Sequence, residues 1–278
     1  MSPFFALLSA GLVGGADFLG GFASRRSWPV RVAARAQGIG FVVSLPVAAA
    51  VGGRPTAADV AWSVASGATV GIGLALFYTA MALGQISIAA PAAAVTGAVL
   101  PVAVGLARGE RPGPAALVGI GAAIVAIAVV SLAPGHPSSG EVTKHALALA
   151  LLAGACFGVF YVSLSRVGAD AGMWPVSISR AASSGLLGLV VVALGRERRA
   201  TRGLGRITVA IGVLEVAAVI ALLIAFRHGT LAIASVLASL YPVTTVLLAA
   251  GVLRERLTRL QLAAVALALV AVALVSTG

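Results

Sequence analysis

The sequence predicts an all-α integral membrane protein: ten transmembrane helices arranged as two inverted five-helix repeats. Three observations predict it. First, the 278 residues are 60% hydrophobic and 10% charged, with a mean hydropathy of +1.09. A soluble domain averages about 25% charged residues, and no single soluble core absorbs so much apolar surface. Second, ten stretches of about 20 mostly apolar residues, long enough to cross a bilayer, alternate with short breakers rich in Gly, Pro and Arg. Third, the chain repeats itself. Gly84-Gln-Ile-Ser-Ile-Ala89 returns as Gly229-Thr-Leu-Ala-Ile-Ala234, a shift of 145 residues. Under that shift Arg35 falls on Arg180, Glu110-Arg111 on Glu255-Arg256, and Val130-Ser131 on Val275-Ser276. Five spans per unit is an odd number, so the second unit enters the membrane from the side opposite to the first. Inverted-topology repeats are a sign of alternating access around a central site.

The first unit, 1–132, holds spans at 3–23, 32–51, 60–82, 86–106 and 114–132. Span one follows Met1-Ser-Pro-Phe, which lacks the basic start of a signal peptide, so it is read as a retained helix. Its Gly11-xxx-Gly15, and Gly67-xxx-Gly71 in span three, set small residues on one helix face, where backbones approach closely in lipid. Pro91 and Pro101 are expected to kink or locally unwind span four. A linker, 133–145, leads to the second unit, 146–278, with spans at 146–165, 173–194, 207–226, 231–252 and 260–276. Pro242 is expected to do the same in span nine, kinking or locally unwinding it. Broken helices at equivalent places in two halves point to a binding site. The single cysteine, Cys156, lies inside a span; it forms no intrachain disulfide and has no partner for a metal site, so no cofactor or metal is expected.

The net charge of +11 does not indicate nucleic acid. Seventeen of the nineteen Lys and Arg residues fall in loops or at helix ends, the exceptions being Arg35 and Arg180, and no basic stripe is interleaved with aromatics. The loops on the side of the termini carry five basic residues against twelve on the other side. By the positive-inside rule this places both termini outside the cytoplasm.

Ionisable side chains at membrane depth are costly, about 2.5–3.5 kcal/mol on insertion scales, and are functional candidates by default. Asp17 in span one shares a face with Ala10, Gly14 and Gly21. It suits a proton-coupling carboxylate or a counter-ion for a cationic substrate, or a packing hydrogen bond. Glu215, near the middle of span eight, is the deepest carboxylate, suited to load and release a proton or to pair with Arg180. Arg180, on a face with Ser177 and Ser184, suits a substrate carboxylate or phosphate, or that pair. Arg35, about one turn into its helix, suits snorkelling or a place on the cavity wall. Tyr161, Tyr241 and Tyr78 are candidate cavity-lining residues whose hydroxyls need partners. Glu110 and Glu255 read as loop caps with the neighbouring arginines.

At these residues the chain resembles the ten-helix permeases of the drug/metabolite transporter superfamily, built from two EamA-type units. In the second unit the resemblance rests on Gly229, Leu240-Tyr241-Pro242-Val243, Arg254-Glu255-Arg256-Leu257 and Gln261. In the first it rests on Gly84 and Glu110-Arg111. Arg35 and Arg180, with Gly15-x-x-Phe18 and Gly158-x-x-Tyr161, complete it. Gly97 stands where the unit usually has the proline equivalent to Pro242. The resemblance implies cytoplasmic termini, against the loop charges.

The reading that follows is a secondary transporter of small organic metabolites, such as amino acids, or of drugs, expected to be proton-coupled. It sits multi-pass in the plasma (inner) membrane as a monomer or homodimer, with lipid, protons and a small-molecule substrate as partners. A lipid flippase or membrane scaffold is the alternative. No H-E-x-x-H, G-x-S-x-G or G-x-x-x-x-G-K-[ST] occurs, which argues against a membrane enzyme, with no catalytic residues to assign, and against ATP coupling within the chain.

Overall fold

The computed structural model describes residues 2–83, 86–132, 140–194, 204–253 and short stretches between 259 and 274. Residues 133–139 of the linker, most of the expected tenth span, Gly84 and Glu255 lie outside the described residues. What is described is helical. The helices are α1 (Ser2–Ser24), α2 (Pro29–Val51), α3 (Ala57–Leu83), α4 (Ile86–Ala107), α5 (Pro114–Leu132), α6 (Gly140–Leu164), α7 (Trp174–Ala193), α8 (Gly205–Arg227), α9 (Leu231–Ala238) and α10 (Tyr241–Leu253). A 3-10 turn, Ala169–Ala171, precedes α7. Proline opens α2, α5 and α7 within their first two residues. Its fixed φ suits a helix start, and its missing N–H costs nothing there.

Six of these helices are long and apolar enough to cross a membrane: α1, α2, α3, α6, α7 and α8. The surface agrees. Val42, Val118, Leu189 and Val192 are more than 60% exposed, while Asp17, Gln37, Arg180 and Glu215 are buried. A soluble protein hides apolar groups and shows polar ones; here the order is reversed, as a lipid solvent requires. The chain is a multi-pass membrane protein.

The ninth expected span is two helices. The chain breaks at Ser239–Leu240, directly ahead of Tyr241-Pro242, so that Pro242 sits in the first turn of α10. By contrast α4 is one continuous helix across both Pro91 and Pro101.

The halves pack through each other. Helix α1 lies against α8, and α6 against α3; α2 lies against α8, and α7 against α3; α2 and α7 meet directly. The α3–α7 seam is closed by Gly67 and Gly71. A Cβ on Gly67 would run into the backbone carbonyl of Ser179, and one on Gly71 would stand 2.9 Å from Ser183 Oγ. The other small-residue motif works differently: Gly11 meets nothing within 4 Å.

At the end of the bundle that carries Ser2, polar contacts tie one half to the other. Ser2 Oγ donates to Ala225 O (3.0 Å). Asp59 caps its own helix, accepting from Thr56 N at 2.9 Å and Thr56 Oγ1 at 2.7 Å. Its other oxygen accepts from Gly168 N across the junction, at 2.8 Å. Arg54 N donates to Asp170 O (2.8 Å), and Arg227 Nη2 to Gly172 O (2.6 Å). Gly53 (φ 121°) and Gly172 (φ 58°) let these two loops touch backbone to backbone, at angles side chains resist. Glu110 accepts from Leu231 N and Ala232 N, each at 2.9 Å. It therefore caps the start of α9, an anion at the positive end of a helix in the other half.

Candidate functional site

The site forms where α1, α3, α6, α7, α8 and α10 converge. Its polar part is built around Glu215 of α8. Arg180 of α7 donates through Nη1 to Glu215 Oε2 at 2.6 Å and through Nη2 to the Glu215 backbone carbonyl at 2.8 Å. Gln37 of α2 bridges the pair. Its Nε2 donates to Glu215 Oε2 (2.5 Å), and its Oε1 accepts from Arg180 Nη1 (2.6 Å). Tyr78 of α3 donates its hydroxyl to the remaining oxygen, Glu215 Oε1 (3.2 Å). Four buried side chains from four helices, two from each half, thus satisfy one another. A buried ion pair survives desolvation only with such supporting hydrogen bonds. Gly20 makes room for Tyr78, since a Cβ there would enter the phenol ring.

Asp17 belongs to the same region but not to the network. It is 4% exposed and makes no hydrogen bond or ion pair with any described residue. Its neighbours at one helical turn, Gly14 and Gly21, are too small to shield it. Asp17 lines a partly open cavity whose empty space, counted out to the solvent at its mouth, is about 560 Å³. Arg180 and Glu215 also reach this cavity, so three of the four ionisable residues expected from the sequence border one space, and Arg35 does not. The rest of the wall is mostly aromatic and aliphatic. Helix α6 contributes Phe157, Phe160 and Tyr161, and α10 contributes Tyr241. Val70 and Leu74 of α3, Val219 and Leu222 of α8, and Val13 of α1 add aliphatic surface, and Ser9 of α1 adds a hydroxyl.

The rings hold one another. Phe77 stands edge-on to both Phe157 (5.7 Å between centroids) and Tyr241 (6.4 Å). Tyr241 donates its hydroxyl to Ala90 O (3.3 Å), which ties the start of α10 to α4. The break between α9 and α10 is thereby held at the cavity wall.

The other expected residues lie elsewhere. Tyr78 stands behind Glu215 and Arg35 is exposed on α2; neither is among the residues lining this cavity. Pro101 is buried in α4, and Pro91 lies one turn from the start of that helix. Sequence reasoning missed Gln37. The signal is in the sequence: an amide two residues beyond Arg35 in an apolar span needs partners as surely as a charge does. Among the described residues no three His, Cys, Asp or Glu side chains gather as a metal site.

Comparison with known proteins agrees with this architecture. Residues 144–277 match the EamA-like transporter family. Twenty-two solved chains resemble the fold. One, described only as the crystal structure of a protein, is 20% identical, with a TM-score of 0.71 over 97% of this chain and 96% of the other. At that identity the likeness concerns the fold alone. No curated protein matches the sequence.

Proposed function

We propose, from the match of residues 144–277 to the EamA-like transporter family, that the whole chain is a secondary transporter of small organic metabolites or drugs, coupled to protons. It works from the plasma (inner) membrane by alternating access. The units are 1–132 and 146–278, ten membrane helices in all, related as inverted repeats. Two things support that relation: the 145-residue register and the exchange of partners, α1 with α8 and α6 with α3, which the register maps onto each other.

One observation carries the mechanism. Asp17 is a buried carboxylate without a partner among the described residues, set in a cavity between the halves beside an ion pair that is already neutral. A carboxylate so placed takes up either a proton or the positive group of a solute. That choice is the physical basis of coupling, because two ligands that share one charge cannot bind together. Glu215 is fixed by Arg180, Gln37 and Tyr78, and acts as the anchor of the four-helix junction rather than as a proton carrier. Rocking of one unit on the other exposes Asp17 to each side in turn. The contacts of Asp59, Arg227 and Glu110 across the junction are those broken and remade at the end that carries Ser2.

The test is accumulation by purified protein in liposomes under an imposed pH gradient, with amino acids, amines and quaternary cations offered in turn. One class is expected to accumulate beyond equilibrium while the gradient lasts. Absence of protein-dependent movement for every class would remove the transporter reading.

A further inference from the structure

We propose that the bundle end that carries Ser2 holds a site for the headgroup of an anionic phospholipid, where α3, α4 and α6 meet, between Arg108 of the first half and Arg166 of the second. The site needs only that the chain spans a membrane, and it is independent of what the chain carries.

Helix α6 packs against both α3 and α4. Its end is followed by Ser165 and Arg166, and each meets one of those neighbours. Arg108, the residue after α4, donates through Nη1 to Ser165 Oγ (3.4 Å). Arg166 lays its guanidinium over the ring of Trp62 in the second turn of α3, 5.7 Å from the centroid. Both arginines are exposed.

The two cations are neighbours. Arg108 is held below the usual guanidinium range, first by the loss of water around it and then by the positive charge of Arg166, against an opposing pull from Glu110. Among the described residues neither arginine makes an ion pair with a carboxylate. Two acids of this end are spent on backbone amides and a hydroxyl. Glu110 accepts from Leu231 N and Ala232 N, and Asp59 from Thr56 and Gly168. Like charges held near each other raise each other's energy, and an anion between them removes that cost. Guanidinium forks match the paired oxygens of a phosphate.

The place selects a lipid over a soluble anion. Arg108 and Arg166 lie within two residues of the ends of α4 and α6, at the boundary of the spans. Trp62 is exposed at the same boundary, where tryptophans anchor to headgroups, and Leu106 is exposed just before Arg108. Acyl chains lie on such side chains while the phosphate stays level with the arginines. The bilayer also presents its phosphates at high local concentration, which two solvent-exposed arginines require. A zwitterionic headgroup brings its own cation, which both arginines repel, so a net negative headgroup is favoured. Held by both arginines, it ties α4 of the first half to the end of α6 in the second.

The experiment reads which lipid stands beside Trp62. Trp28 and Trp174, the other two tryptophans, are changed to Phe in the full-length protein, which is reconstituted in mixed bilayers. Quenching of Trp62 fluorescence by brominated phosphatidylglycerol is compared with quenching by brominated phosphatidylcholine. Phosphatidylglycerol is expected to be favoured there by about thirtyfold, about fivefold for each arginine. Arg108→Gln should leave about fivefold, and Arg108→Gln combined with Arg166→Gln no preference. Arg25→Gln combined with Arg26→Gln, at the opposite end, should change nothing. Inorganic phosphate, compared with chloride at equal ionic strength, should not displace the lipid. Size-exclusion profiles confirm that each variant is folded. Four results overturn the assignment: equal quenching by the two lipids, an unchanged preference in the folded Arg108→Gln, Arg166→Gln protein, an equal fall in the Arg25→Gln, Arg26→Gln protein, or displacement by inorganic phosphate, which would make the pair a site for a soluble anion. None of the four bears on accumulation under a pH gradient, which tests the transporter reading separately.

Discussion

Arg180 and Glu215 neutralise each other at 2.6 Å, two charges from neighbouring helices of the second half buried among apolar side chains. The pair is stitched to the first half by Gln37 and Tyr78. Cutting it from one side leaves a buried charge alone, typically at about 3–5 kcal/mol. Glu215→Gln is therefore expected to destabilise the protein by that order in detergent unfolding. Combining it with Arg180→Met should cost clearly less than the sum of the two single changes, because the double variant buries no unpaired charge. Strict additivity would show that the pair does not act as a unit.

Gln37 touches both partners. Gln37→Leu removes one hydrogen bond from each, and leaving such groups unsatisfied costs about 1–3 kcal/mol apiece. A loss of stability near the upper part of that range is expected by thermal melting in micelles. A neutral result would mean that water replaces the amide.

Glycines of one sequence pattern have opposite consequences. Gly67→Ala drives a methyl into the Ser179 carbonyl of α7, and overpacking of this kind costs about 1–3 kcal/mol. Gly11→Ala meets open space and should be neutral or slightly stabilising, since Ala is the better helix former by about 1 kcal/mol. Unfolding of the two variants side by side checks the contrast.

Glu110 caps a helix in the other half. Glu110→Ala frees the Leu231 and Ala232 amides, and loss of a cap costs about 0.5–2 kcal/mol. Hydrogen exchange at the start of α9 should quicken by roughly threefold to thirtyfold on the same scale. Unchanged protection there would contradict the assignment.

Much of this was legible in the sequence because lipid makes charge conspicuous. Asp17, Arg180 and Glu215 stand out in apolar spans, and all three reach one cavity. The first eight spans coincide with helices, and the ninth covers α9 and α10, interrupted beside Pro242 as that proline led one to expect. The break at Ser239–Leu240 was foreshadowed by Pro242, yet Pro91 and Pro101 carry the same signal and sit in an unbroken helix. Tertiary support decides such cases: Tyr241 reaches the Ala90 carbonyl and steadies the start of α10. What the sequence hid were contacts between distant residues. Glu110 read as a loop cap, but its helix lies 121 positions further on. Tyr78 read as cavity wall and instead supports Glu215 from behind. No local pattern encodes either partner.

The central claim is that Asp17 couples solute to protons while Glu215 does not. The direct measurement is substrate-driven proton movement, followed with a pH dye inside liposomes that hold wild type, Asp17→Asn or Glu215→Gln at equal amounts of folded protein. The account predicts a proton signal in wild type, none in Asp17→Asn, and a reduced but present signal in Glu215→Gln. Proton movement that persists in Asp17→Asn and vanishes in Glu215→Gln would contradict it and move the coupling site to the paired carboxylate.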